Sequence, residues 1–115
     1  MSQLPTQQIR GPYALQAAHW TCEADFEDAV IAFAQAHGWL VHATRAAPSG
    51  KGWRTPVKGD TGFVDLVLAR AGVNHHWELK WKNNTPEPEQ RVWLTALDGR
   101  CYWETDWDYI REVLH

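Results

Sequence analysis

The sequence predicts a mixed α/β domain built around one central sheet, and three observations point to it. Apolar residues recur at helical spacing over 21–38 and again over 85–97. Short runs rich in β-branched and aromatic residues stand between and after them, at 39–44, 63–70, 75–81 and 101–104. The chain's 115 residues suffice for one core but not for two. Apolar content of 44% and charged content of 22% are ordinary for a soluble globular protein, and eight Trp residues supply much of the area to be buried.

Taken in order, residues 1–20 lack a sustained period and read as a loosely attached N-terminal arm, leaving 21–115 as the folded domain. Thr21 is the expected cap of a first helix, with Glu23 and Asp25 in the turn where the helix dipole favours acids. Phe26, Val30, Phe33 and His37, joined by Ile31 and Ala34, form its apolar stripe, and Gly38 ends it. "WLVHAT" (39–44) is a first strand. Residues 45–62, "RAAPSGKGWRTPVKGDTG", are rich in Gly, Pro and bases and read as a long loop. "FVDLVLAR" (63–70) and "HHWELKW" (75–81) form an antiparallel hairpin. "TPEPEQRVWLTAL" is a helix capped by Thr85, with Val92, Trp93, Ala96 and Leu97 as its apolar stripe. "CYWE" is a fourth strand, and Thr105-Asp-Trp-Asp resembles a capping box opening a last helix to Leu114. The expected order is α-β-β-β-α-β-α, with a mixed, mostly antiparallel sheet between helical layers.

Several function classes are set aside at once. No run approaches the roughly 18 apolar residues of a membrane span, and no charged segment followed by an apolar one opens the chain. Cys22 and Cys101 form neither a disulfide framework nor a zinc cluster, and are expected as reduced thiols in a cytoplasmic protein. The net charge of −3 hides an asymmetry. Residues 45–82 hold seven bases and three acids (+4), the rest four bases and eleven acids (−7). A basic central third can face a polyanion, and Arg45, Lys51, Arg54 and Lys58 in the loop, with Lys82 beyond the third strand, are the expected DNA contacts. Trp53 in the same loop either stacks on a base or folds back onto the domain.

The polar face of the hairpin carries the chemistry. Glu78 and Lys80 are two apart on a strand and so share a face. With a two-residue loop at Ala71-Gly72, Asp65 lies opposite Glu78; with a four-residue loop it lies opposite Lys80. Either places Asp65, Glu78 and Lys80 together. Two carboxylates so close need a compensating cation, and oxygen-only donors suit Mg²⁺ or Mn²⁺ better than zinc. Such a metal can activate water and offset charge in a displacement at phosphorus. From residue chemistry alone, a metal-dependent phosphodiesterase and a solvated strand face with an ordinary Glu–Lys contact stand level.

The pieces "FEDAVIAFAQAHGWLVHATR", "GFVDLVLAR", "HWELK", "TPEPEQRVWLTAL" and "YWETDWDYIREVL", in that order over residues 21–114, resemble the PD-(D/E)XK nuclease superfamily. The resemblance is nearest to its small VRR-NUC-like and Holliday-junction-resolvase-like branch. It implies a restriction-endonuclease-like αβββαβ core with an added C-terminal helix. It also implies a DNA endonuclease dependent on Mg²⁺ or Mn²⁺, selective for branched or junction DNA and working as a homodimer. A catalytically silent DNA-binding module on the same fold is the alternative. Asp65 and Glu78 become metal-binding carboxylates, Lys80 the catalytic lysine, and the Leu79 carbonyl an extra ligand. Glu27 on the first helix becomes an added metal-binding glutamate, with Glu23 as second choice, and Gln90 a glutamine facing the site. Val64 stands where the superfamily's proline would precede Asp65, and no Val-Arg-Arg string is present.

Overall fold

The computed structural model describes residues 20–44 and 57–115, together with the backbone of 47–49 and 52–54. Its elements are α1 (Glu23–Ala36), β1 (Leu40–Ala43), β2 (Ala47–Ser49), β3 (Gly52–Arg54), β4 (Leu66–Arg70), β5 (Val73–Lys80), α2 (Pro88–Leu97), β6 (Arg100–Trp103), a 3₁₀ turn (Glu104–Asp106) and α3 (Trp107–Leu114). β1, β4, β5 and β6 form one mixed sheet in the order β1-β4-β5-β6, antiparallel except for the parallel β5–β6 pair. The expected four strands and three helices are thus present. The 45–62 loop is not wholly a loop: β2 and β3 pair antiparallel within it. Of the expected N-terminal arm, all but Trp20 lies outside the described residues. Trp20 itself packs on Phe26 and Trp107, with ring centroids 5.3 and 5.1 Å away.

The hairpin register decides the site. Ala71 (φ 50°) and Gly72 (φ 82°) both take positive φ, the signature of a two-residue I′ turn. Leu66 then pairs with Trp77 and Val67 with His76. This is the register that sets Asp65 level with Glu78. Even residues of β4 and odd residues of β5 therefore share one face. There Leu66, Leu68, Trp77 and Leu79 meet Phe26, Val30 and Phe33 of α1 and Trp107, Ile110 and Leu114 of α3 in one buried cluster. Arg70 locks this layer. Its guanidinium lies 4.2 Å over the Trp39 ring and donates to the His37 carbonyl at 2.8 Å and the Leu114 carbonyl at 3.3 Å. Arg70 is thus a structural cation rather than part of a polyanion-facing surface.

Three expected helix starts shift, each for a local reason. Thr21 does not cap α1; its backbone N–H and hydroxyl both donate to the Asp25 carboxylate, at 3.1 and 3.0 Å. Thr85 does not cap α2. Glu87 precedes a proline and is held extended (ψ 161°), so the helix can begin only at Pro88. The last helix opens one residue later than the Thr105 box implies: the Asp106 carboxylate accepts the Trp103 N–H at 2.8 Å across a 3₁₀ turn. At the other end of α1, Gly38 (φ 86°) supplies the expected left-handed exit.

Candidate active site

The site forms at one end of the sheet, where β4 begins and β5 ends. The β4–β5 ladder stops at Leu66–Trp77. The Leu79 N–H beyond it is taken by the Asp65 carboxylate at 2.9 Å, while the Asp65 carbonyl accepts the Thr44 N–H at 3.0 Å. Asp65 is therefore not a free side chain on a strand face. Its carboxylate replaces a missing rung of the ladder and is held beside Glu78.

Glu78 lies on the face opposite the core, yet only 1% of it is exposed. Its Oε2 accepts the Gln90 amide at 2.8 Å and stands 3.2 Å from the Lys80 ammonium. Its Oε1 is buried with no hydrogen-bond partner among the described residues. Gln90 performs two tasks: its amide oxygen accepts the Glu87 N–H at 2.8 Å, closing the first turn of α2, and its amide nitrogen steadies Glu78. The sequence-level placement of Gln90 toward the site holds, and the capping role explains how it is aimed.

The electrostatics follow from crowding acids. Burial, then the Asp65 charge, push the Glu78 carboxyl up to about 7, against the pull of Lys80. Asp65 is also raised, chiefly by burial, although its bond from the Leu79 N–H opposes this. Glu27 is buried, at 9% exposure, and its charge adds to the raising of Asp65. Glu23 is raised by burial and by Asp65, and is partly relieved by Lys80. Both first-helix glutamates thus lie within electrostatic reach of the hairpin carboxylates. Among the described residues, however, no three His, Cys, Asp or Glu side chains are arranged to hold a metal ion by themselves. Leu79 is fixed by its buried side chain and by its N–H on Asp65.

Cys101 went unassigned at the level of sequence. Parallel pairing of β5 with β6 puts it in register with Glu78. Burial, then the neighbouring Glu78 charge, push its thiol up to about 12, so it is protonated and a poor nucleophile. No sequence signal marks this neighbour, because strand pairing across a helix has no local pattern. His76 shares the Glu78 face and lines a pocket of about 350 Å³ with Asn74, Asp98 and Arg100.

Arg45 and Lys51, and the side chains of Arg54 and Trp53, lie outside the described residues. Lys58 is exposed. Lys82 sits in a left-handed turn (φ 55°); its N–H donates to Glu104 at 2.9 Å and its ammonium lies 5.6 Å from the Trp81 ring centroid. No helix among the described residues is long and apolar enough to cross a membrane. No protein-family model, curated protein or solved structure matches the chain.

Proposed function

We propose that the chain is a divalent-metal-dependent DNA endonuclease that hydrolyses phosphodiesters with water. The reading places the domain among restriction-endonuclease-like folds and gives it branched or junction DNA as substrate. The observation that carries it is the pairing of half-buried Asp65 with buried Glu78, whose Oε1 has no hydrogen-bond partner among the described residues, with the Lys80 ammonium beside it. An unsatisfied buried carboxylate oxygen is costly unless something fills it in the working state. Two hard oxygen donors with raised proton affinity suit Mg²⁺ or Mn²⁺. Asp65 and Glu78 would hold the ion, with water and the Leu79 carbonyl supplying further oxygens.

When bound, that cation would lower the pKa of water and offset charge developing on phosphate oxygens. The chain's own residues set the stage for this. The Leu79 N–H holds Asp65 in place. Gln90 keeps the Glu78 carboxylate turned toward it. Lys80, anchored on Glu78, presents an ammonium that stabilises negative charge near the scissile phosphate. Buried Trp77 and Leu79 stop β5 from shifting beneath these groups.

Cleavage of junction, flap and linear DNA in Mg²⁺ or Mn²⁺ tests the reading, comparing wild type with Asp65→Ala and Lys80→Ala. Each variant is expected to lose roughly 10²–10³ in rate, as loss of a charge-stabilising group typically does. Absence of metal-dependent cutting on every substrate, with salt-dependent DNA binding retained, would assign the chain to the silent DNA-binding alternative.

A further inference from the structure

We infer that the cleft where β5 and β6 begin binds a single nucleotide, its base lying against aromatic side chains and its phosphate on Arg100. The inference stands apart from the nuclease reading, because the cleft lies on the α3 side of the sheet, the face opposite Glu78 and Lys80. Parallel pairing sets Tyr102 beside Leu79 and Arg100 beside Trp77 on that face. Ile110 and Leu114 of α3 join the core there. Tyr109 and Val113, four residues apart on one flank of α3, wall a cleft of about 350 Å³. Small-molecule sites begin at about 300 Å³, so one nucleotide is the size of ligand it suits.

The walls suit a flat ring. Trp77, 1% exposed, forms the floor. His75 and Tyr102 pack on it with ring centroids 5.2 and 4.9 Å away, and Tyr109 stands 5.9 Å from Tyr102. Burial, then the charges of His76 and Arg70, hold the His75 imidazole below its usual range, so it is an uncharged plate at neutral pH. Aromatic faces of this kind hold any base by stacking. The rim supplies the charge. Asp98, in a left-handed backbone (φ 53°), turns the chain from α2 into β6 and tethers the Arg100 guanidinium. Nη1 donates to the Asp98 carboxylate at 3.2 Å and to the Asp98 and Gly99 carbonyls at 3.3 and 3.0 Å. All three bonds run from one nitrogen. Among the described residues, the Nε–Nη2 edge is left for an oxyanion, the edge with which arginine grips phosphate through two bonds. The Asp98 side chain is 91% exposed, so water screens its competition for that guanidinium.

Calorimetric titration of the full chain with dAMP in EDTA tests this without any metal. A dissociation constant on the order of 10–100 µM is expected at the usual efficiency of small ligands. Deoxyadenosine, lacking the phosphate, should bind about tenfold more weakly, and inorganic phosphate more weakly still. Arg100→Gln should cost about tenfold for dAMP and nothing for deoxyadenosine. Tyr109→Ala should cost about tenfold for both. Both side chains are more than half exposed, so both variants should keep the wild-type circular dichroism. A 5′-phosphorylated tetranucleotide separates two sources of the same chemistry. Tighter binding than dAMP, lost in Arg100→Gln, would assign the cleft to a strand end; equal or weaker binding would assign it to a free nucleotide. No binding of dAMP up to roughly 5 mM, wild-type affinity in both variants, or loss of dAMP binding in Lys80→Ala instead would overturn the inference.

Discussion

The two faces of the sheet share the same strands and obey opposite rules. On one face Leu66 and Leu68 of β4 and Trp77 and Leu79 of β5 are apolar and buried, and α1 and α3 seal them. On the other face the covering helix α2 buries none of its own residues, and the same strands offer Asp65, Glu78 and Lys80. The first face accounts for the domain's stability. The second tolerates an orphaned carboxylate oxygen and raised proton affinities, which cost stability and suit the capture of a cation. Alternation along a strand of eight residues allows both, since burying Trp77 and Leu79 holds Glu78 between them in place.

That contrast can be broken most strongly from the core side. Trp77→Ala removes a 1%-exposed indole from beneath the site and is expected to cost about 3–5 kcal/mol in urea denaturation. Gln90→Ala strikes the other face. It should leave the melting temperature within a few degrees of wild type but weaken Mn²⁺ binding roughly 10–100-fold, because Glu78 loses its orienting donor. Equal damage to both readouts would mean Gln90 acts only as a helix cap.

The pH dependence sharpens the contrast further. Glu78 is raised from 4.5 to about 7, so in the metal-free fold it binds its proton more tightly than the unfolded chain does. The associated stability is present below about pH 4.5 and is lost as pH rises through about 7. Glu78→Gln should therefore flatten the stability–pH profile and exceed wild type above pH 7. Metal affinity of the wild type should rise over that window, since ion and proton compete for the pair. A profile unchanged by the substitution would place the burden on other acids. The smallest effect lies at the turn. Ala71 carries a left-handed backbone (φ 50°) without a side chain suited to it, so Ala71→Asn should stabilise by about 1 kcal/mol in thermal melts.

Much of this was legible in local pattern. The period of two in "HWELKWK" puts Glu78 and Lys80 on one face, and turn geometry at Ala71-Gly72 selects one of the two registers that parity allows. The apolar stripe of α1 was readable, and so was that of α2, of which Trp93 and Leu97 are half-buried and Val92 and Ala96 exposed. The hairpin inside 45–62 was not readable, because Gly- and Pro-rich segments carry no period. Nor were the helix starts: Thr21 and Thr85 match the cap preference, but a nearby carboxylate and a proline outcompete it.

Local pattern settles which residues alternate, which share a strand face, and that two carboxylates and a lysine belong to one hairpin. The packed fold turns the Asp65 carboxylate onto the Leu79 N–H. It also decides that Gln90 reaches Glu78 from twelve residues away and that parallel pairing lays Cys101 beside them. Periodicity is a property of a few consecutive residues and survives in any context. Which strand lies next to which, and which polar atom is left without a partner, depends on how all the apolar faces are buried at once.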